Sequence, residues 1–303
     1  DNKGKQISYE DWRPFGSIKD PAKPGNYIGV KAVLFPKDDK KPADLPKVKY
    51  FRFELLDTSQ VPGVAMNWPM FSIDDSPDLM LAIDASSPGV LKNEGQQLDV
   101  SNPAMNAHGR PAAAARIDSF DFGGRTMLRV TAKLADGRHI FGRLEGQEDT
   151  LYPGILIPKR RPGRWIADAW IADNGVANLP DDDDAESEPT GDGFDGDGLT
   201  LYEEYRGFAV DRMKDGRMEG DPKRKDLFIL NLIGKDAEFG INLFEKASSL
   251  RVIQSRDESV MDEEKRVINM NKGAAKEGAA PHRVDQHGVV LKTLEEELED
   301  REG

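Results

Sequence analysis

Residues 180–204 carry eleven carboxylates and no lysine or arginine, with glycines at 191, 193, 196 and 198. The mutual repulsion of Asp181 to Asp184 favours a hydrated, extended chain there. Two carboxylates 4 Å apart repel by about 4 kcal/mol at an effective dielectric of 20, and a divalent cation reverses that sign. The run therefore either stays hydrated or gathers around a cation, and it divides the chain of 303 residues into two stretches long enough for a core each.

The spacing inside the run is that of a calcium loop. With Asp195 and Asp197 at loop positions three and five, Gly198 is the turn glycine at six. Leu199 then offers its carbonyl at seven, and Glu204 falls at twelve for bidentate capture. Position one is Gly193, so Asp192 must reach in through a one-residue irregularity, or water or a carboxylate from Asp181 to Asp184 takes the place. Position nine is Leu201, which leaves water or backbone there. The expected calcium ligands are thus Asp192, Asp195, Asp197, Leu199 and Glu204. The competing reading is a solvated linker whose Thr200 caps a following helix.

Asp195-Gly196-Asp197-Gly198-Leu199-Thr200, followed by Glu203-Glu204-Tyr205, resembles the calcium loops of secreted bacterial proteins related to EF-hands and thrombospondin type 3 repeats. This resemblance covers about fifteen residues and implies Ca²⁺ as cofactor and an exported, cell-surface or periplasmic protein. A second resemblance extends over much of residues 190–291. Gly198 to Phe208, Asp221-Pro222-Lys223-Arg224-Lys225-Asp226 and Gln286-His287-Gly288 are similar to uncharacterised bacterial proteins that continue into a zinc-peptidase-like region. It implies, as the alternative, a non-catalytic portion of such a hydrolase. The helical His-Glu-x-x-His pair that the chemistry needs does not occur among the four histidines, so no catalytic residue is carried over.

Before the acidic run the pattern is that of strands. Residues 1–26 form an arm rich in Pro, Gly and Lys. Val30, Ala32 and Leu34 then alternate with less apolar neighbours, as do Phe51, Phe53 and Leu55 with Arg52 and Glu54. Leu128 to Leu134 repeats the alternation, and Asp136-Gly137 before His139-Ile140-Phe141 signals a hairpin. Residues 27–162 are expected to form an all-β, Ig-like sandwich. Ala112 to Ala115 suits a helical turn or an ordered loop. Residues 163–190 read as an acidic linker pinned by Trp165 and Trp170, with Asp181 to Asp184 hydrated and extended.

After the calcium loop at residues 191–204, a helix is expected from Thr200, a central strand over Leu227 to Ile233 and a helix over Phe239 to Leu250. Residues 205–303 make a small α/β domain. His282, Asp285 and His287 are close in sequence but lack a fourth zinc ligand and an i, i+4 histidine pair.

The formal charge of −13 offers no field for phosphate backbones or anionic lipid, so nucleic acid is not an expected partner. No apolar stretch reaches 18 residues, so no membrane span is expected. The absence of cysteine removes disulfides, thiolate metal sites and thiol nucleophiles. A start at Asp1 suits a processed chain with a removed signal peptide. The expectation is a non-enzymatic structural or interaction protein. Calcium orders its junction, and its sandwich presents a surface for a protein or carbohydrate ligand.

Overall fold

The alternation of apolar and charged residues is satisfied by two antiparallel sheets. A computed structural model describes residues 7–36, 45–87, 89–101, 103–147, 154–191, 193–273 and 279–293. In chain order the first half holds β1 (Asn26–Val33), β2 (Val48–Leu56), β3 (Leu79–Ile83), β4 (Val90–Asn93) and β5 (Gln97–Ser101). There follow β6 (Ala104–Met105), β7 (Pro111–Ser119), β8 (Thr126–Leu134), β9 (His139–Phe141) and β10 (Ile155–Ile157). One sheet has the order β1-β7-β3, with β6 also on β7. The other runs β10-β8-β2-β5-β4, with β9 also on β8.

In β2 the two faces have separate partners. Phe51, Phe53 and Leu55 enter a core shared with Ile28, Leu81, Leu98, Ile117 and Leu128 from both sheets. On the outer face Arg52 lies directly opposite Asp99 of β5 and Glu54 opposite Arg129 of β8. Arg52 holds Asp99 in two bonds of 2.8 Å each, and Arg129 grips Glu54 in two of 3.1 Å. These cross-strand pairs fix register, since a slip by one residue would exchange the faces.

Ala112 to Ala115 is neither helix nor loop but the start of β7, the central strand of its sheet. Pro111 stands at the first strand position, where a missing N–H is tolerated, and its carbonyl accepts from Leu34.

The second half holds α1 (Asp168–Asn174), α2 (Leu201–Arg206), β11 (Phe208–Asp211), β12 (Gly216–Met218), β13 (Asp226–Asn231), α3 (Lys235–Ser248), β14 (Arg251–Ser255) and β15 (Val289–Leu291). β13 lies between β14 and β15 and runs parallel to both, with α3 as the crossover to β14. β11 and β12 make an antiparallel pair. Among the described residues no helix is long and apolar enough to cross a membrane.

In the acidic stretch before the loop Asp182 is exposed, whereas Asp181 is packed rather than hydrated. Asp181 is buried, with Arg164 Nε at 2.6 Å and the Trp165 N–H at 2.6 Å. Its carbonyl accepts from the Tyr202 N–H and that of Asp183 from the Leu201 N–H, so the segment runs against the start of α2.

Candidate metal centre

α2 is the element on which the site is built. Thr200 is its N-cap in a complete capping box: its hydroxyl accepts from the Glu203 N–H, and Glu203 Oε2 accepts from the Thr200 N–H at 2.8 Å. Every residue of this short helix is buried. Tyr202 and Tyr205 pack edge-on against Trp165 and Trp170. Glu204 is turned the other way, against Gly220, where an added Cβ would lie 2.5 Å from Glu204 Cγ.

The segment before the loop and the loop itself lie side by side. Asp184 Oδ1 accepts from the N–H groups of Asp197 at 3.0 Å and Gly198 at 3.2 Å, and the Glu186 carbonyl accepts from Gly196 at 3.1 Å. Gly196 has φ +80, and a Cβ there would fall 2.0 Å from Asp184 Oδ1. Only glycine allows this approach. Asp197 turns the chain by accepting the Leu199 N–H on Oδ1, and its Oδ2 accepts the Asp226 N–H at 2.6 Å. The start of β13 is thereby tied to the loop, and Lys225 adds a bond from Nζ to the Phe194 carbonyl.

Carboxylate oxygens of Asp184, Glu186 and Asp197 lie within 4.8 Å of one another. Oxygen ligands at about 2.4 Å from a shared Ca²⁺ take up that span. Glu204 lies near the cluster, since Glu186, Asp197, Asp226 and Asp221 act on it as like charges. Its exposure is 0%, and neither of its carboxylate oxygens accepts a hydrogen bond among the described residues. Glu186 Oε2 and Asp226 Oδ1 are buried without a hydrogen bond as well, although the Arg251 guanidinium stands 3.5 Å from Asp226.

Burial is the first cause of the proton affinities here, with mutual repulsion behind it. Glu186 is pushed up to about 8 by burial and then by Asp197 and Asp184. Asp226 rises to about 7 by burial, against the pull of Arg251. Asp197 rises to about 6 by burial, although the N–H groups of Asp226 and Leu199 oppose it. Glu204 is pushed well above the carboxylate range by burial and then by Glu186. Buried carboxylates without donors are costly by several kcal/mol each, at order of magnitude, and a cation is a natural partner for them.

The donor set is carboxylate oxygen throughout, which suits a hard cation of the calcium or magnesium class. Of the ligands expected from the loop spacing, Asp197 is in the close cluster, and Glu204 lies outside it as a buried neighbour on which Glu186 and Asp197 act as like charges. Asp195 is exposed and outside the close cluster. Leu199 is a core residue beside Phe208 and Phe228, with its N–H on Asp197. Asp192 lies outside the described residues. Asp184, Glu186 and Asp226 were not in the expected set. The nearest signal was the vacancy at loop position one, for which a carboxylate from Asp181 to Asp184 was an open choice.

His282, Asp285 and His287 do not face one another as a set. His282 Nδ1 lies 2.8 Å from Glu203 Oε1 and its Nε2 3.4 Å from Asp285, whereas His287 Nδ1 meets the Lys265 carbonyl. Comparison with protein-family models, with curated proteins and with solved structures gives no match, so the reading of this centre rests on its own geometry.

Proposed function

We propose that the chain is a calcium-binding structural module whose cation is held by Asp184, Glu186, Asp197 and Glu204, with Asp226 at the edge. The observation that carries this reading is Glu204, wholly buried with two oxygens that accept no hydrogen bond among the described residues, set among like charges. The cation would join three parts of the chain, namely the acidic segment before the loop, α2 and the start of β13. It would thereby stiffen the junction between an Ig-like sandwich and an α/β domain. A role outside the cell, where calcium is abundant, suits a site of modest affinity, roughly 10⁻⁴ to 10⁻³ M. The sandwich would then present a protein or carbohydrate ligand surface.

Calorimetric titration of the EDTA-treated chain with Ca²⁺, run beside Mg²⁺ and paired with thermal unfolding, tests the proposal. One Ca²⁺-selective event with a raised melting temperature is expected. The absence of both heat and stabilisation would sink it.

A further inference from the structure

α3 turns an apolar stripe away from the body of the protein. Its inward side is Ala237, Glu238, Ile241, Glu245 and Ser248, of which only Ile241 is fully buried. Outward, Phe239 is 79% exposed and Leu243 57%, while Phe244, 44% exposed, lies on the flank between this side and the inward one. At about 100° per residue, Asp236, Phe239, Leu243 and Lys246 fall on one outward line, with the 3-4-3 spacing of a coiled-coil seam. Asp236 and Lys246 are exposed at its two ends. Gly240 flanks the line, and a Cβ there would meet nothing within 4 Å. Packing within the chain does not require that glycine, which weakens the helix but leaves room for a second helix to approach closely.

We propose that α3 is the seam of a homodimer in which two copies pair this helix antiparallel. The stripe is complementary to itself when reversed. A two-fold axis over position 241 sets Phe239 against Leu243 of the second copy and Asp236 against Lys246 of the second copy. A parallel pair would instead place Asp236 on Asp236 and Lys246 on Lys246, which the charges oppose. Interfaces of this kind are isologous, the commonest form in soluble oligomers. A seam with two apolar layers is smaller than the roughly 1,200 Å² of a stable interface, so the dimer is concentration-dependent, with dissociation at roughly tens of micromolar.

Sedimentation equilibrium of the full chain up to about 500 µM is the test. The unaltered protein should dimerise, Asp236→Lys and Lys246→Asp should each be monomeric, and the double exchange should restore the dimer. Because the chain has no cysteine, Asp236→Cys and Lys246→Cys each introduce the only thiol. On oxidation a mixture of the two should cross-link far more than either alone. A monomer throughout the concentration range, a double exchange that fails to restore association, or cross-linking as strong in each variant alone would overturn the proposal.

Discussion

Glu204 and Arg206 stand two residues apart on α2 and serve opposite sides of it. Glu204 adjoins the carboxylates of the candidate metal centre. Arg206, equally buried, donates to the carbonyls of Phe122 at 3.2 Å, Val61 and Pro62 at 3.0 Å each and Asn271 at 3.1 Å, and to that of Gly63. One short helix therefore connects the centre to segments that leave the two antiparallel sheets. A cation that fixes Glu204 fixes the helix that presents Arg206.

Addition of Ca²⁺ should slow amide exchange not only across residues 184–204 but also across 61–68, by roughly tenfold. Exchange followed by mass spectrometry reads both segments at once. Protection confined to the acidic segment would show that α2 does not transmit the constraint.

Glu204→Gln separates binding from folding. Without metal, burial of Glu204 at neutral pH requires proton uptake or an unpaired charge, so the amide should raise the stability of the EDTA-treated protein by roughly 1–3 kcal/mol. With Ca²⁺ the variant should show little or no further rise in melting temperature. Loss of stability in EDTA with undiminished calcium stabilisation would mean that Glu204 is a packing residue only.

The position of the two flanking aspartates distinguishes the observed cluster from a simple loop register. Asp184→Ala should weaken calcium binding by about tenfold or more, because Asp184 is both a cluster member and the acceptor for Asp197 and Gly198. Asp195→Ala should change it by less than about threefold, its carboxylate being exposed and outside the close cluster. Titration calorimetry of the two variants side by side gives the order, and the reverse order would return the site to the loop register.

Several elements were legible in the sequence because their determinants are local. Phe51, Phe53 and Leu55 alternate as a half-buried strand must, Asp136-Gly137 closes the β8–β9 hairpin, and the Thr200 start of α2 carries its own cap. The fate of Ala112 to Ala115 was not legible. Alanine favours helix, and strand β7 exists because β1 and β3 pair with its two edges. The centre divides in the same way. Asp197 and Glu204 follow from spacing within the loop. Asp226 comes from 29 positions beyond Asp197 through a backbone bond to that carboxylate, and Asp184 enters from upstream across Gly196. A consecutive register does not see Asp226, and it leaves Asp184 as one open choice among Asp181 to Asp184 for position one.

Arg206 also sets up a pH dependence away from the candidate metal centre. Asp78 is wholly buried, accepting from the Val61 N–H at 3.0 Å and the Ser59 hydroxyl at 2.7 Å. Burial pushes it up to about 6 against the pull of Arg206, and Asp121 is pushed well above the carboxylate range by burial and then by Asp78. Both groups bind protons more tightly folded than unfolded. Their contribution is therefore fully present below the unfolded carboxylate range, near pH 4, and is lost as pH rises through about 6 for Asp78 and further for Asp121. Asp121→Asn removes one carboxyl and relieves the other. Urea unfolding in EDTA should show that the unaltered protein loses stability between about pH 4.5 and pH 7.5, with a shallower loss in Asp121→Asn and a gain over the unaltered protein at the upper end. The carboxylates of the metal centre share the same sign and remain in both proteins, so the difference between the two profiles isolates the Asp78–Asp121 pair. Parallel profiles would mean that the pair stays ionised beside Arg206 throughout.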